Sequence, residues 1–575
     1  MTLILLLIVA LPEDLIFKTE QDIDFELILR DLEDLRRNPL DINQVTVEAL
    51  ARVPFLSLSQ CIKIVEYRET RGPFRSLRDL LQISGIDRSL LEVLEPYLTV
   101  GLKVVELKKI AARSRVATGL PLEDRSAAYH TRLSVMLDEY RLSVVTEKDP
   151  FESAFFDHYA AGLLVDEGVR KFAIGKYNLD LGAGAVLSSV GSFFRGIDFR
   201  IMMNERGVIP YTSTVENGGF FGTAFTDSLF LTYTIFYSNQ NLDGRVDSLG
   251  FARSFDDSGD HIDSLSLSRK DRINEEIFGY DIRYRSPNML ISNRTFFCRY
   301  DPAFATTDSL DDFFGEDFYI SGLELRYFGG SFVMFSELAR SWKNHIGGLF
   351  GFSTAFASYD FTLAGRYFPS AFYSPKGVEA EANHASGTVD LRHHSRIADV
   401  GLNLSLDNKI NEDTTKYDIR LSFSKRLGIL DARMNLRRRY REEENDISGS
   451  DVLLRLKPAT FLFFDLRFEQ KSVSQETVEN GLFVAVELGL DFDNFDSRVR
   501  YGFFDTDSYG ARIYAYEMDL PGIINNRMLY GRGHCGFVYV SVKPIAWMKV
   551  SAKYSAVRRD DEQDRKLGAQ IDCVF

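Results

Sequence analysis

The chain has 575 residues, a formal net charge of −15 and an apolar content of 45%. It is long enough for more than one domain and apolar enough to build a core. The negative charge argues against a protein that coats nucleic acid without specificity. The four cysteines lie far apart with no CxxC pair, which disfavours zinc, redox and disulfide motifs and predicts isolated buried thiols.

The longest apolar run stands at the start of the chain, from Leu3 to Pro12, and ends abruptly at Glu13. Its length fits the apolar region of a signal peptide, with the small residue Ala10 near its end, whereas a transmembrane helix needs about 20 apolar residues. No Lys or Arg precedes the run, so a short buried helix is the alternative. We expect residues 1–12 to be an export signal.

Residues 22–100 show apolar positions at the three- and four-residue spacing of amphipathic helices. Ser76 and Asp79 have the spacing of a capping box. The segment before Asn38-Pro39 is followed by helical pieces at Thr46–Leu50, Leu58–Arg71, Leu77–Ile83 and Leu90–Leu94. The pattern predicts a small all-α domain.

The stretch Pro39–Leu50 resembles the opening of the helix-hairpin-helix domains found in bacterial competence DNA receptors. Ile64–Arg68, running into Gly72–Leu80, resembles the next part of that domain, and Ile83–Asp87 stands where the second hairpin should be. The resemblance covers about residues 39–100. It implies a hairpin backbone that approaches DNA phosphates, helped by the N-terminus of the following helix.

The resemblance implies DNA contacts at the second hairpin and at nearby arginines: Ser84, Gly85, Ile86, Arg88, Arg68, Arg71, Arg75 and Arg78. The sequence departs from the family pattern, because Phe55, Ser57 and Asp87 stand where glycines are usual. The aspartate repels phosphate, and the near-neutral local charge predicts weak binding. A degenerate domain that docks a periplasmic protein is the alternative.

After Gly101 the helical spacing gives way to alternation. In Leu430–Arg437, Phe464–Glu469 and Ala546–Ser555 apolar residues alternate with polar or charged ones, which places the charges on one face of a sheet. Roughly two dozen such segments of about ten residues run to the C-terminus. We expect a large antiparallel barrel of roughly 22–26 strands over residues 101–575.

The connections between these segments fall into two kinds. Compact turns are predicted at Arg285-Ser286-Pro287, Lys457-Pro458 and Lys543-Pro544, and long polar connections at Asn239–Glu276 and Pro369–Ser386. Short turns on one rim and long loops on the other are typical of barrels in the bacterial outer membrane. A soluble β-solenoid is the alternative, but no fixed short repeat is present.

The end of the chain also fits an outer-membrane barrel. Alternate apolar residues lead to the terminal Phe575, which resembles the signal read by the barrel-assembly machinery. We expect a barrel in contact with the lipid of a Gram-negative-type outer membrane, with the helical domain in the periplasm. Blocks such as Thr146–Pro150, Pro210–Asn217 and Phe372–Pro375 resemble those of bacterial proteins that join a helix-hairpin-helix region to such a barrel, a resemblance that implies architecture and no settled activity.

The charged face of the strands predicts a polar lumen wall. Its expected arginines are Arg433, Arg437, Arg455, Arg467, Arg498 and Arg500, paired with acids such as Asp431, Asp465 and Asp496. A lumen this wide leaks unless something fills it. The glycine-rich stretch Asn178–Glu216, folding inward, and the helical domain, covering the periplasmic mouth, are the candidates.

Catalytic motifs are weak. Gly182-Ala183-Gly184 lacks the later glycine and the Lys-Ser/Thr pair of a phosphate loop. His393 and His394 are neighbours on a predicted strand, point to opposite faces and therefore do not chelate jointly. The sequence contains neither G-x-S-x-G nor H-E-x-x-H. We expect no enzyme, metal or cofactor, although isolated catalytic residues on a barrel wall would escape this reasoning.

Two functions follow as hypotheses. In the first, the barrel and its periplasmic helix-hairpin-helix module bind or help translocate a polymer such as DNA. In the alternative, the protein is a non-enzymatic anchor or porin-like barrel whose helical module docks a periplasmic partner or covers the pore.

Overall fold

The computed structural model describes most of the chain after residue 34. The described residues are 35–36, 39–50, 53, 56, 58–83, 85–86, 88–101, 108–123, 126–154, 156–188, 206–286, 288–305, 313–329, 332–356, 358–395, 397–412, 414–441, 446–474, 477–523, 525–559 and 562–575. The expected signal segment 1–12 and residues 22–34 of the expected helical domain lie outside them. No helix among these residues has the length and apolar character needed to cross a membrane.

The N-terminal domain is a small helical unit, as predicted. It contains α1 (Val47–Leu50), α2 (Leu58–Arg71), a 3-10 helix (Leu77–Gln82) and α3 (Arg88–Leu94). A parallel pair of short strands, Leu40–Asp41 and Leu98–Thr99, joins its two ends. The Asp79 carboxylate accepts the backbone N–H groups of Arg75 and Ser76 at 2.7 and 3.0 Å, which fixes the start of the 3-10 helix.

The remainder is a closed barrel of 24 antiparallel strands, which confirms the expected fold class. The strands are β1 (Lys108–Leu120), β2 (Ala127–Leu137), β3 (Tyr140–Lys148), β4 (His158–Glu167), β5 (Arg170–Asp180), β6 (Phe220–Ser228), β7 (Thr232–Leu242), β8 (Ile273–Arg285), β9 (Met289–Phe304), β10 (Gly315–Phe328), β11 (Phe332–Arg340), β12 (Ile346–Phe356), β13 (Tyr359–Phe368), β14 (His384–His393), β15 (Asp399–Lys409), β16 (Thr414–Leu427), β17 (Leu430–Arg441), β18 (Asp446–Ala459), β19 (Leu462–Ser474), β20 (Val478–Phe492), β21 (Phe495–Thr506), β22 (Arg532–Ile545), β23 (Met548–Arg559) and β24 (Glu562–Val574).

The first and last strands close the barrel. Strand β1 pairs with β24 from Ala111 opposite Val574 to Leu120 opposite Arg565. The backbone N–H of Phe575 extends the ladder by donating to the Ile110 carbonyl at 2.9 Å. Closure pairs the first strand of the barrel with the last, which is the condition for strands to cross a lipid bilayer.

The two rims differ as the sequence predicted. Connections after even-numbered strands are short, as at Asp138-Glu139 between β2 and β3. Most connections after odd-numbered strands are longer, the largest being residues 181–219 and 243–272. Strand β1 begins and β24 ends at the short-turn rim, so the helical domain joins the barrel on that side, which faces the periplasm in barrels of this kind.

The outer surface is apolar and wide. On β10 and β11 the outward-facing Leu323 and Leu338 are 55% and 57% exposed, whereas the inward-facing Glu324 and Glu337 are fully buried. Aromatic pairs such as Trp547–Phe575 and Phe461–Phe492 stack at the short-turn rim. Such a surface requires lipid, so the barrel is an outer-membrane protein.

Several predicted connections are corrected. Residues 239–276 are not one plain loop, because β7 runs to Leu242 and β8 begins at Ile273. Between them lie a hairpin (Gly244–Val246 with Ala252–Phe255) and a short helix (Ser264–Leu267). Pro458 and Pro544 belong to strand ends with irregular register rather than to the turns, since proline is tolerated where the ladder is already broken.

Candidate functional site: the barrel interior

The helical domain lies against the inner wall of the barrel. Helix α2 contacts β12 and β13. Ile62 of this helix is 5% exposed and belongs to a buried cluster with the inward-facing Leu349 and with Val186. Tyr516, from a loop of the barrel, packs in turn against the core of the helical domain. The domain therefore fills part of the lumen.

A second filling element comes from the glycine-rich segment. The carboxylate of Glu337, on the inner face of β11, accepts the backbone N–H groups of Ala183 at 2.9 Å and Ala185 at 3.0 Å. Gly182 and Gly184 have φ angles of +88° and +104°, which lets successive N–H groups converge on one anion. The Gly-Ala-Gly sequence thus holds a carboxylate of its own barrel, as a phosphate loop would hold a phosphate.

Buried ion pairs fix this carboxylate. Arg294 on β9 contacts Glu337 at 2.5 Å, Glu324 at 2.6 Å and Asp281 at 3.2 Å. Arg326 contacts Glu324 at 2.5 Å. Each of these side chains is at most 2% exposed to solvent. Removing one partner therefore leaves an uncompensated buried charge.

The loop between β13 and β14 packs against the same segment. Ser374 Oγ donates to the Ala185 carbonyl at 2.8 Å, and the backbone N–H of Glu379 donates to the Gly184 carbonyl at 3.0 Å. Lys376 forms an ion pair with Glu275 of β8 at 2.8 Å. Residues 369–383 therefore lie inward as well.

A fourth element comes from the connection between β21 and β22. Its strands Ile513–Glu517 and Asn525–Leu529 form a separate hairpin. Lys553, on the inner face of β23, contacts Glu517 at 2.6 Å and Asp519 at 2.8 Å. Gln570 of β24 donates to the Pro521 carbonyl at 3.0 Å. We call the helical domain and segments 181–188, 369–383 and 507–531 together the plug.

The plug fills the lumen unevenly. Most inward side chains of β8–β11 are buried, whereas most of those on β14–β17 are partly exposed. Ser422 on β16 faces inward, opposite Asn435 of β17, and is exposed. We call the inward face of β14–β17 the basic wall. Its charged residues are Arg392, Lys409, Lys416, Arg420, Arg426, Arg433, Arg437, Arg439 and Arg441, against Asp390, Asp399, Asp407, Asp418 and Asp431.

The six predicted lumen arginines all lie on inward-facing strand positions. Arg433 and Arg437 belong to the basic wall. Arg455 is paired with Asp465 at 2.6 Å and Arg500 with Glu487 at 2.5 Å, and both are buried. Arg467 is 6% exposed, and Arg498 lies 3.6 Å from Asp496.

Some of the predicted DNA-contacting residues have structural roles within the domain, and others are exposed. Ile86 is 5% exposed within the domain core, so it presents no side chain to DNA. Arg68 Nη1 donates to the carbonyls of Ile42 and Val45 at 3.1 and 2.9 Å, which gives it a structural role. Gly85 has a φ of +94°, as a hairpin glycine requires, and its carbonyl accepts Gln60 Nε2.

Three arginines remain exposed for an external contact: Arg71, Arg75 and Arg78. Arg71 also lies over the Tyr67 ring, 5.6 Å from its centroid. Ser84 and the side chain of Arg88 lie outside the described part of the chain. The arginines therefore supply a small positive surface, whereas Gly85 and Ile86 of the second hairpin make contacts within the domain.

A cluster of ionisable groups at the long-loop rim was not foreseen, because loops far apart in sequence contribute its members. His261 is buried, and its ring is hydrogen-bonded to the Asp157 carboxylate through Nδ1 and to the Asp243 carboxylate through Nε2. With Glu152 and Glu216 these groups form two overlapping triads of metal-ligand type among the described residues. Lys270 contacts Asp157 at 2.8 Å and supplies positive charge there. Burial and the hydrogen bond with Asp243 raise the pKa of Glu216 to about 9.

The pair His393 and His394 separates as predicted. His393 stacks on Tyr359, with ring centroids 4.5 Å apart. His394 contacts Asp360 and Asp399, each at 3.3 Å. Hydrogen bonds with these two carboxylates raise the pKa of His394 to about 9. The two imidazoles therefore do not converge on one site.

These observations define the class of protein: a transmembrane 24-stranded barrel with a partly filled interior and an N-terminal helical domain within it. Residues 36–99 match the family described as the helix-hairpin-helix motif, which agrees with the resemblance of this region. The match covers the helix-hairpin-helix motif itself. Comparison with curated proteins gives no match.

Solved structures with a similar fold are outer-membrane barrels. The ferric enterobactin receptor PfeA of Pseudomonas aeruginosa is 8% identical, with 81% of this chain and 80% of that chain covered and a TM-score of 0.41. The P pilus usher PapC pore is 7% identical (81% and 99% covered, TM-score 0.36). The carbohydrate-binding barrel Wzi of Escherichia coli is 10% identical (76% and 96% covered, TM-score 0.34). Their ligands and cargo belong to those proteins.

Proposed function

We propose that this protein is a porin-like outer-membrane passage whose plug controls access to the lumen. The observation that carries the proposal is the uneven filling: the plug packs against β8–β13 and β19–β24, and the basic wall stays partly exposed. A purely structural anchor has no need of a polar, partly exposed interior. In this proposal the helical domain, a candidate cover of the periplasmic mouth in the sequence analysis, is the part of the plug whose displacement opens the lumen.

The contact at Ile62 makes this proposal testable. Ile62 packs with residues of the barrel interior rather than with the core of its own domain. Ile62→Glu therefore weakens docking while leaving the domain core intact. We expect higher conductance of purified protein in planar bilayers and greater sensitivity of cells to a large hydrophilic antibiotic.

The matched control is Leu81→Glu. Leu81 belongs to the same domain but is already 43% exposed, so the same charge there meets water. Equal permeability of Ile62→Glu, Leu81→Glu and wild type, with normal barrel assembly in all three, contradicts a gating plug and favours the anchor.

A second candidate function, DNA handling by the helical domain, is favoured by the exposed Arg71, Arg75 and Arg78. Phosphate contacts by these side chains are electrostatic and fall steeply with salt. The test is titration of the full chain in detergent with a labelled DNA duplex at several salt concentrations. Arg75→Ala and Arg78→Ala should weaken binding and reduce the salt slope, each by about one phosphate contact.

Arg299→Ala is the matched control for DNA binding, because Arg299 is exposed on the barrel exterior and pairs with Asp317. DNA handling is contradicted if the protein does not bind the duplex at low salt, or if Arg299→Ala loses as much binding as Arg75→Ala and Arg78→Ala. Either result leaves the porin-like function in place.

A further inference from the structure

The basic wall carries more positive than negative charge although the whole chain has a net charge of −15. Within the described residues of β14–β17, nine lysines and arginines face inward against five aspartates. The buried wall of β8–β11 is different, because its inward arginines lie among at least as many carboxylates. The arginines are Arg283, Arg294 and Arg326, and the acids are Glu275, Asp281, Glu324 and Glu337. The excess of positive charge on the basic wall therefore has no counterpart on the buried wall of β8–β11.

Asp418 shows how this excess arises. Three guanidinium groups share its single carboxylate: Arg437 at 2.5 Å, Arg420 at 3.1 Å and Arg439 at 3.4 Å. Arg433 and Arg426 share Asp431 in the same way, at 3.2 and 3.5 Å. Each of these carboxylates therefore contacts more than one guanidinium group.

The uncharged inward residues of this wall are small and polar. They include Ser386, Ser405, Ser422, Ser424 and Asn435, and no Phe, Tyr or Trp faces inward on the described parts of β14–β17. Stacking platforms for nucleic-acid bases are therefore lacking on this face. A hydrophilic surface with arginines in excess stabilises hydrated anions and repels cations.

We propose that the space along the basic wall is an anion-selective path through the lumen. The inference rests on the proposed passage and names its substrate class, small hydrophilic anions. Anions entering this space meet the arginine pairs around Asp418 and Asp431, whereas cations meet the same potential as a barrier. The potential is local, because salt screens it over about 10 Å at 0.1 M ionic strength.

Thiol modification measures this potential without requiring through-conductance. Ser422→Cys places a thiol opposite Asn435, one inward position from the pairs Arg420–Arg437 and Ser424–Arg433. The full chain in detergent is treated with a sulfonate-bearing and a trimethylammonium-bearing methanethiosulfonate, each rate being normalised to a free thiol in solution. We expect the anionic reagent to be favoured about tenfold at low salt, with the ratio shrinking as salt rises.

Charge variants sharpen the measurement in both directions. Arg437→Gln with Arg439→Gln should reduce the ratio towards one, and Asp418→Asn should increase it. Arg299→Gln, on the outer surface, should leave it unchanged. Ser541→Cys, inward but 2% exposed on the filled side, should react slowly with both reagents, and unmodified wild type reports the native cysteines.

Preference of Ser422→Cys for the cationic reagent, or equal normalised rates, overturns anion selectivity. Failure of both reagents to reach this thiol overturns it too, since the wall is then closed to water. Failure of the gating function appears elsewhere, as unchanged permeability of Ile62→Glu. The reversal potential of Ile62→Glu under a KCl gradient gives a second measurement of selectivity. We expect it to lie towards the equilibrium potential of chloride.

Discussion

Gly182 lies directly against Arg294: a Cβ added to this glycine would stand 1.7 Å from Nη1 of the guanidinium. The same arginine contacts Glu337, whose carboxylate holds the N–H groups of Ala183 and Ala185. A side chain at position 182 therefore disturbs both the segment and the ion pairs that anchor it. This contact connects the glycine-rich part of the plug to the barrel wall.

Gly182→Ala should displace segment 181–188 from the wall and increase bilayer conductance. Two unfavourable free-energy contributions are expected. The φ of +88° disfavours a side chain by about 1–2 kcal/mol, and the added Cβ also clashes with Arg294. Gly168→Ala is the matched control, since Gly168 has a φ of +87° in a turn with nothing within 4 Å of the added Cβ. Equal conductance of the two variants would show that the segment does not limit permeation.

Glu337→Ala should destabilise the filled half of the barrel by about 3–5 kcal/mol, because it leaves Arg294 partly uncompensated and two buried N–H groups without their acceptor. Ser336→Ala changes the neighbouring outward position on the same strand and should have little effect. The measurement is the temperature at which the folded barrel loses its heat-modifiable migration in gel electrophoresis. A shift in Ser336→Ala as large as that in Glu337→Ala would contradict the buried-charge argument.

The sequence predicted the architecture because its signals are local. Alternation in segments such as Ala546–Ser555 determines which face of β23 points inward, and the structure has Lys553 inward and Tyr554 outward. The plug was harder to predict, since its contacts join residues far apart in the chain, as in Ala183 with Glu337. The Gly-Ala-Gly motif lacks the other residues of a phosphate loop, and the structure shows that the N–H groups of Ala183 and Ala185 donate to the Glu337 carboxylate.

The candidate site was predictable only in part for the same reason. Inward arginines follow from strand period, but alternation cannot tell a buried pair such as Arg455–Asp465 from the partly exposed Arg433. That difference depends on where the plug lies. The roles of Arg68 and Ile86 were likewise hidden, because a helix-hairpin-helix resemblance does not show which residues its own core uses.

The long-loop rim should respond to pH through Glu216. Burial and Asp243 raise its pKa to about 9 from an ordinary value of 4.5, so the folded loops favour the protonated carboxyl. The stabilisation is fully present below pH 4.5 and is lost as the pH rises towards 9. Glu216→Gln keeps the neutral form, so its loops should resist limited proteolysis better than wild type at pH 8, with little difference at pH 4.

The control for this pH effect is Glu316→Gln, an exposed glutamate on the same rim. It should leave the pH profile of cleavage within residues 243–272 unchanged. A wild-type cleavage rate that does not rise between pH 5 and pH 9 would contradict the role of Glu216.

Phe575 should matter for closure of the barrel, and the assembly signal expected at this residue is open to the same test. Phe575 stacks on Trp547 with ring centroids 4.7 Å apart, and its backbone N–H donates to Ile110 of β1. Phe575→Ala removes the stacking and the terminal aromatic group expected to be read by the barrel-assembly machinery, while Trp547→Ala removes the stacking alone. If the machinery reads the terminus, Phe575→Ala should lower the amount of folded barrel in outer-membrane fractions more than Trp547→Ala does. Equal losses would assign the effect to the stacked pair at the membrane interface, where an aromatic pair is worth about 0.5–1.5 kcal/mol.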